Sequence, residues 1–329
     1  MHKLVIWDRT WAGYADKFAA RLGPEWRIAA GSDDPDWLLR EIEDATALLT
    51  LRMPAEALPR AANLRVILYP GAGLLQSDPQ SVPAGCPVVN VYEHEAPVAE
   101  FTIMAMLLHA TRLRTYVETF AAGKWDGSGR LGGEPHLELA GKTLGVLGYG
   151  RIGRALATRA RAFEMRVAAI SRSGCSDVLL DFGGGPSELE ALLKQSDFFV
   201  IAAPLTTETQ GLIGARQLEL LPPNAYLVNV SRAEIVDEQA LYDALASCRL
   251  GGAALDVWYH YPDPGQPGHG SRLPFHTLSN VLCTPHYSAW TLQMILRRID
   301  KIADNLHRLA RGEALERVVL RGIWRPRTA

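Results

Sequence analysis

The pattern Gly148-Tyr149-Gly150-Arg151-Ile152-Gly153 follows the apolar run Thr143-Leu-Gly-Val-Leu147 and precedes a stretch with helical spacing. Such a glycine pattern alone is a weak signal, but between a strand and a helix it fits a dinucleotide site. Gly148 permits the tight turn, Gly150 lets main-chain N–H groups approach a pyrophosphate, and Gly153 lets helix and strand pack closely. The helix N-terminus then turns its positive end toward the phosphates. Tyr149, Arg151 and Ile152 belong to the same candidate cofactor loop. The reading without function is a glycine-rich strand-to-helix turn.

The next apolar run, residues 166–170, ends in Ser171-Arg172-Ser173. NAD sites place an acid here for the ribose 2′-hydroxyl. None stands at this tip: Ser171 takes its place, and Arg172 follows. An arginine pairs with a 2′-phosphate and stacks on adenine. NADP(H) is therefore the expected cofactor and NAD(H) the alternative. A merely solvated Arg172 is the reading without function.

These residues need elements that hold them. Short apolar runs at 4–7, 27–30, 47–51, 65–68 and 87–91 alternate with helical stretches, the first at 12–22. A second series has strands at 143–147, 166–170, 198–202, 226–230, 253–257 and 281–284. Helices are expected at 151–164, 187–194 and 238–246. Residues 96–114 read as one helix, apolar nearly all round, and therefore buried in a core or an interface. Residues 123–135 and 259–275 are rich in Gly, Pro or polar residues and read as loops. Residues 290–311 read as a final amphipathic helix. Strands alternating with helices imply an α/β fold with parallel sheets covered on both faces.

The 329 residues suggest two domains. With 48% hydrophobic and 21% charged residues the chain is an ordinary globular sequence, not a disordered one. The 34 Lys and Arg against 36 Asp and Glu argue against nucleic acid as the main partner. Four scattered cysteines fit a reducing compartment. The first residues are too short an apolar run for a signal segment, and no stretch spans a membrane, so a cytoplasmic location is expected. No metal site is expected. His260, Asp263, His269 and His276 share one loop without a zinc spacing.

Three later segments make the chain recognisable: Val228-Asn-Val-Ser231-Arg232-Ala-Glu-Ile-Val-Asp237, Ala253-Ala-Leu-Asp256-Val-Trp258, and Thr284-Pro-His286-Tyr-Ser288-Ala-Trp290. With the glycine loop and with Ala203-Pro204-Leu-Thr-Thr-Glu-Thr209, they resemble the D-2-hydroxyacid dehydrogenases, of the glyoxylate/hydroxypyruvate reductase kind, from about residue 47 onward. The resemblance implies two Rossmann-like or flavodoxin-like domains. A substrate domain of residues 1–97 and 288–329 would carry an inserted cofactor domain of residues 98–287. A cleft between them would hold the site, and the helix at 96–114 would lie in a homodimer interface. The resemblance also implies reduction of a 2-oxoacid to a D-(R)-2-hydroxyacid. Arg232 would grip the substrate carboxylate, for which a planar fork is suited. His286 would give the proton, its ordinary pKa lying near neutrality. Main-chain groups of Gly71, Ala72 and Gly73 would hold the carboxylate, with His94 and Trp290 also at the substrate. Asp256 would orient the nicotinamide. The remaining cofactor contacts would be Ala203, Pro204, Thr209, Val230, Ser231 and Ser288, with Arg232 and His286 themselves. Without the family, Arg232 and His286 read as a surface arginine and a capping histidine.

The chain departs from the family where a glutamate normally supports the histidine, in a D-V-F-x-x-E-P setting. Here the stretch is Asp256-Val-Trp-Tyr259-His260-Tyr261-Pro262, so the position is Tyr261. A tyrosine can orient an imidazole but gives its charged form no carboxylate partner. Three readings follow. A His286–Tyr261 pair carries the reduction; or another acid, in Glu93-His94-Glu95, takes over; or the protein binds NADP(H) as a sensor or an atypical enzyme. Trp290, Tyr69, Trp258 and Tyr259 suggest a substrate with an apolar or aromatic portion, and the choice from glyoxylate to arylpyruvates stays open.

Overall fold

Short buried aliphatic runs become the strands of two separate sheets. The computed structural model describes residues 1–31, 34–73, 78–125, 127, 129–263 and 265–325. Contacts divide the chain into Met1–Glu93 with Thr291–Ala329, and His94–Trp290.

The first unit opens with β1 (His2–Trp7). Asp8 then accepts from the N–H groups of Thr10 and Trp11 at 2.9 and 3.0 Å, starting the short helix α1 (Arg9–Ala12). Helix α2 (Ala15–Leu22) follows, so Gly13-Tyr14 breaks the helical pattern of that region. Next come β2 (Trp26–Gly31), α3 (Pro35–Glu41), β3 (Ala47–Leu49), β4 (Val66–Tyr69) and β5 (Pro87–Asn90). Their order in the sheet is β2-β1-β3-β4-β5, all parallel, which is the flavodoxin-like arrangement.

The second unit begins with α4 (Glu95–Ala110) and α5 (Leu113–Ala121). The single helix expected over 96–114 is broken because Arg112 takes a left-handed conformation, φ +52°. The alternating elements follow: β6 (Thr143–Leu147), α6 (Arg151–Ala162), β7 (Arg166–Ile170), β8 (Phe182–Gly184), α7 (Leu189–Gln195), β9 (Phe198–Ile201), α8 (Ala215–Leu220), β10 (Tyr226–Asn229), α9 (Glu238–Ala246), β11 (Gly252–Leu255) and β12 (Val281–Cys283). The sheet order is β8-β7-β6-β9-β10-β11-β12, parallel throughout. This is the dinucleotide-fold order with one further strand. The order in which successive strands are laid across the sheet reverses between β6 and β9, the point where such sheets bind ligands beyond their carboxyl ends. Two apolar layers cover the sheet faces. One centres on Phe101, Met106, Leu144 and Val200, the other on Leu192, Phe199, Leu227 and Phe275.

The chain returns to the first unit through α10 (Leu292–Ala310), whose buried stripe includes Ile295, Ile299, Ile302 and Leu306. Its buried Arg298 donates to the carbonyls of Tyr92 and Pro70 at 2.6 and 2.8 Å, tying the helix to the segments after β4 and β5. Strand β13 (Val318–Arg321) then adds antiparallel to β5, the one exception to parallel pairing among the described strands. Among the described residues, no helix is long and apolar enough to cross a membrane.

Candidate active site

The glycine loop forms as its spacing predicts. Gly148, at φ +103°, turns so closely under the next crossover that a Cβ would lie 2.5 Å from the Ala203 nitrogen. A Cβ on Gly153 would lie 2.6 Å from the Gly148 carbonyl oxygen, so helix α6 seats directly on the loop. Gly150 precedes α6, and nothing lies within 4 Å of where its Cβ would be. That open space, at the amino end of α6, lies beside the first main-chain N–H groups of the helix, which have no partner within it. A pyrophosphate fits such a cradle. The Tyr149 side chain is buried under the Arg154 guanidinium, 5.0 Å from its ring centroid, and burial pushes its hydroxyl up to about 12. Only its main chain is left to face a cofactor. Ile152 is half-buried against the core, and Arg151 pairs with Glu95 at 3.4 Å.

At the tip of β7, the Ser171 hydroxyl donates to the Gly174 carbonyl at 2.6 Å, which closes the turn. Arg172 is exposed. Glu208 has a carboxyl held below its ordinary value, first by the Thr206 hydroxyl and also by the charge of Arg172. After β9, the Thr209 hydroxyl donates to the Pro204 carbonyl at 2.7 Å and accepts from the Thr206 N–H at 2.8 Å. The Ser231 hydroxyl donates to the Ala203 carbonyl. Val230 is buried directly after β10.

Arg232 follows β10 and is half-buried. Asn229 builds its turn by accepting from the Ser231 N–H at 3.1 Å and donating to the Arg232 carbonyl at 2.9 Å. The Arg232 Nη1 donates to the Ser231 carbonyl at 2.7 Å, which leaves most of its five donors for another acceptor.

Asp256, wholly buried after β11, holds the loop that carries His286. Its Oδ1 accepts from the Thr284 hydroxyl at 2.6 Å and the Tyr287 N–H at 2.9 Å, and its Oδ2 accepts from the Ser288 N–H at 3.0 Å. The Trp258 indole donates to the Thr284 carbonyl at 2.8 Å. Thus the residue expected to orient a nicotinamide has an internal task, and Ser288 reaches the site as its amide partner. His286 itself sits at φ +55°, a left-handed conformation that histidine adopts more readily than most residues.

Tyr261 and His286 meet: the hydroxyl lies 2.8 Å from Nδ1. The Trp258 N–H donates to the Tyr261 oxygen at 3.4 Å, so the Tyr261 proton is available to Nδ1. In the neutral ring this puts the imidazole proton on Nε2. In the charged ring the bond reverses, and Nδ1–H donates to the phenol oxygen. Although the ring has an exposed edge, desolvation by the surrounding protein lowers the His286 pKa from its ordinary value. Asp256 opposes the shift, and Arg232 adds to it. Desolvation raises the pKa of Tyr261.

The acids weighed as substitutes for a glutamate are engaged elsewhere. Glu93 lies 3.5 Å from the Arg297 Nε, within the first unit, and Glu95 faces Arg151 within the second. In the first unit, Gly71 and Ala72 follow β4, and their carbonyls accept from the Val91 N–H at 3.2 Å and the Asn90 amide at 2.6 Å. Gly73 ends this turn, and Leu75, where the family often has Asp, lies outside the described residues. His94 precedes α4, its carbonyl accepting from the Val98 N–H at 3.2 Å. Trp290 is exposed. The expectation that Trp258 and Tyr259 shape a substrate pocket needs correction. Trp258 is buried in the core, and Tyr259 packs against it with its hydroxyl on the Val236 carbonyl at 2.9 Å. The His269 and His276 rings stack at 3.7 Å rather than converge on a point. Asn229 and Thr284 were not among the expected site residues; the signal for Asn229 was a turn-forming polar residue closing an apolar strand.

The open phosphate cradle, with an arginine and a histidine beyond the carboxyl ends of two strands of one dinucleotide-fold sheet, defines an NAD(P)-dependent oxidoreductase. A family model for the D-isomer specific 2-hydroxyacid dehydrogenase, NAD binding domain, matches residues 103–288. The glyoxylate reductase of Pyrococcus furiosus is 33% identical over 285 residues, covering 84% of this chain and 82% of that protein. A solved D-isomer specific 2-hydroxyacid dehydrogenase family protein from Aeromonas salmonicida superposes with a TM-score of 0.82 at 27% identity, covering 97% of this chain and 98% of that one. A D-isomer specific 2-hydroxyacid dehydrogenase from Xanthobacter autotrophicus, solved with NADPH and MES, gives 0.76 at 26% identity, covering 97% and 98%. The chain belongs to the D-isomer specific 2-hydroxyacid dehydrogenases, and the interconversion of 2-oxoacids and 2-hydroxyacids with NAD(P) is its chemistry.

Asp256→Asn places an amide NH2 among groups that donate. It is expected to loosen the His286 loop and lower kcat at least tenfold, about 1.4 kcal/mol, with cofactor Kd within about threefold. Full kcat in this variant, measured beside the wild type, would remove the positioning role of Asp256.

Proposed function

We propose that this protein is an NADP(H)-preferring reductase of 2-oxoacids to (R)-2-hydroxyacids that uses a His286–Tyr261 pair as its proton donor. The observation that carries this reading is the 2.8 Å contact of the Tyr261 hydroxyl with His286 Nδ1. It leaves Nε2 as the nitrogen that serves the substrate. Bound NAD(P)H supplies the hydride. Arg232 binds the substrate carboxylate and polarises the carbonyl, its turn held by Asn229. His286 delivers the proton to the carbonyl oxygen as it becomes an alcohol, and Tyr261 receives the Nδ1–H bond of the charged ring. Gly71, Ala72, Gly73 and His94 keep the substrate-contact roles expected of them, and the bulk of Trp290, beside His286 in the chain, shapes the substrate pocket.

The preference for NADP(H) rests on Arg172, exposed beside Ser171 at the tip of β7 with no acid at the 2′-hydroxyl position. Glu208 is near enough to Arg172 to feel its charge, so a 2′-phosphate competes with it for the guanidinium. A homodimer rests on α5. Leu113, Val117 and Phe120 repeat on one face of that helix and are 48%, 58% and 64% exposed, and Phe120 meets the exposed Trp125 edge-on at 5.6 Å. Such a patch marks an association surface. A cytoplasmic setting fits the free thiols of Cys86, Cys175, Cys248 and Cys283.

NADPH oxidation against 2-oxoacids from glyoxylate to arylpyruvates, with chiral analysis of the product, tests the reaction. Because the pKa of His286 is lowered, its acid form is lost at a lower pH than that of an ordinary histidine, and kcat/KM for reduction should fall as pH rises through that titration. Tyr261→Glu should attach a carboxylate to the charged ring and move this limb upward by roughly one unit, each unit being about 1.4 kcal/mol. An unchanged profile would separate Tyr261 from proton delivery, and cofactor binding without turnover would favour a sensor. Arg172→Ala should weaken NADPH binding at least tenfold and NADH binding by less than about twofold, a selectivity loss of at least about fivefold or roughly 1 kcal/mol. Equal losses would refute the 2′-phosphate role. Phe120→Asp should convert a dimer to a monomer by sedimentation; a monomeric wild type would end the dimer proposal.

A further inference from the structure

The second unit has a cavity at the end of its sheet opposite the catalytic residues. Tyr226 opens β10, Gly251 precedes β11, Asn280 precedes β12 and Val281 opens it; all four line the cavity. Arg232, Asp256 and His286 follow the other ends of those same strands. Three or four residues of strand separate the two ends by about 10–13 Å. Dinucleotides bind beyond the carboxyl ends of such sheets, so this cavity, at the amino ends, is a different place.

Its volume is about 470 Å³, within the range of small-molecule sites. The wall opposite the strands comes from the junction of α4 and α5 and from residues 135–137. Arg112 is the left-handed residue at that junction, φ +52°, and the break it makes brings Arg112 and Arg114 to the cavity. His136, Asn224 and Asn280 add polar groups, and Leu108, Leu137 and Leu282 add apolar surface. Among the described residues, no Asp or Glu lines the cavity. Arg114 also reaches Glu118 at 3.2 Å, outside the lining, while the guanidinium of Arg112 lies over the Tyr116 ring at 5.6 Å. The floor holds His109, stacked on Tyr226 at 4.1 Å between centroids. Burial lowers His109 to about 4, so it presents an uncharged aromatic face at neutral pH. Arg112 and Thr115 lie off the helical face formed by Leu113, Val117 and Phe120, so the cavity and the exposed apolar patch use different sides of α5.

We propose that this cavity is a second ligand site, for a small organic anion with a flat apolar body. The negative group would meet Arg112 and Arg114, and the body would lie against His109, Tyr226 and Leu137. Guanidinium forks recognise carboxylate, sulfonate and phosphate oxygens by paired donors, and an aromatic floor suits a flat ring.

The test uses the full chain saturated with NADP+ or NAD+, so that the cofactor cradle is filled. The probe is 1-anilinonaphthalene-8-sulfonate, an aromatic monoanion, followed by fluorescence. The expected result is saturable binding that weakens at least tenfold in an Arg112→Gln, Arg114→Gln double variant and in Asn224→Asp, with cofactor Kd unchanged in both. The neutral analogue N-phenyl-1-naphthylamine should bind at least tenfold more weakly than the anion. Absence of saturable binding to the wild type would overturn the proposal. So would equal affinity in the variants or for the neutral analogue. Because every readout is binding, a failure here is distinct from a failure of the proposed reductase reaction. If the double variant does not fold, Asn224→Asp decides alone.

Discussion

The candidate site of this protein is held together by one buried carboxylate. Asp256 takes a hydroxyl and two main-chain N–H groups onto its two oxygens, and all three come from the loop that carries His286. A buried carboxylate without such partners would be very costly, so the loop and the charge hold each other in place. The result is a histidine in a left-handed conformation, just beyond an edge strand of only three residues. The loop is further tied through the Thr284 N–H to the Leu255 carbonyl and through the Thr284 carbonyl to Trp258.

The same loop brings His286 to Tyr261, and that meeting sets the character of the site. A carboxylate partner would favour the charged ring. A phenol favours neither state strongly, because its oxygen accepts from Nδ1–H in one state and its proton goes to Nδ1 in the other. Desolvation and Arg232 then decide the balance toward the neutral ring. The site is therefore organised for orientation first and for holding positive charge second.

The glycine loop, the strands of both sheets other than β8 and β13, and the α/β class were legible in the sequence, because each depends on neighbours in the chain: a turn that only glycine allows, or an apolar run between breakers. The residues of the candidate site were legible largely through their motif, and Arg232, Asp256 and His286 do follow three neighbouring strands. Other features were not legible. The helix expected to run through residue 112 breaks there, although its residues favour continuation, because the chain turns to lay α5 apart from α4. β13 was missed because Val318–Arg321 alternates half-buried and exposed residues and is a strand only by pairing with β5. Trp258 and Tyr259 were read as aromatics hinting at an apolar substrate, but their rings complete the core.

By itself, the sequence determined which groups are present and which short segments are strands, helices and turns, since those depend on the period of apolar residues and on backbone sterics. It also determined that Tyr261 stands where the family pattern has an acid. Only the tertiary structure decided that the Tyr261 hydroxyl reaches His286 at 2.8 Å, that Asp256 spends its oxygens on the histidine loop, and that Glu93 and Glu95 are paired with arginines. Those facts depend on which strand ends become neighbours, and strand order is set by packing between residues far apart in the chain, which no local pattern records.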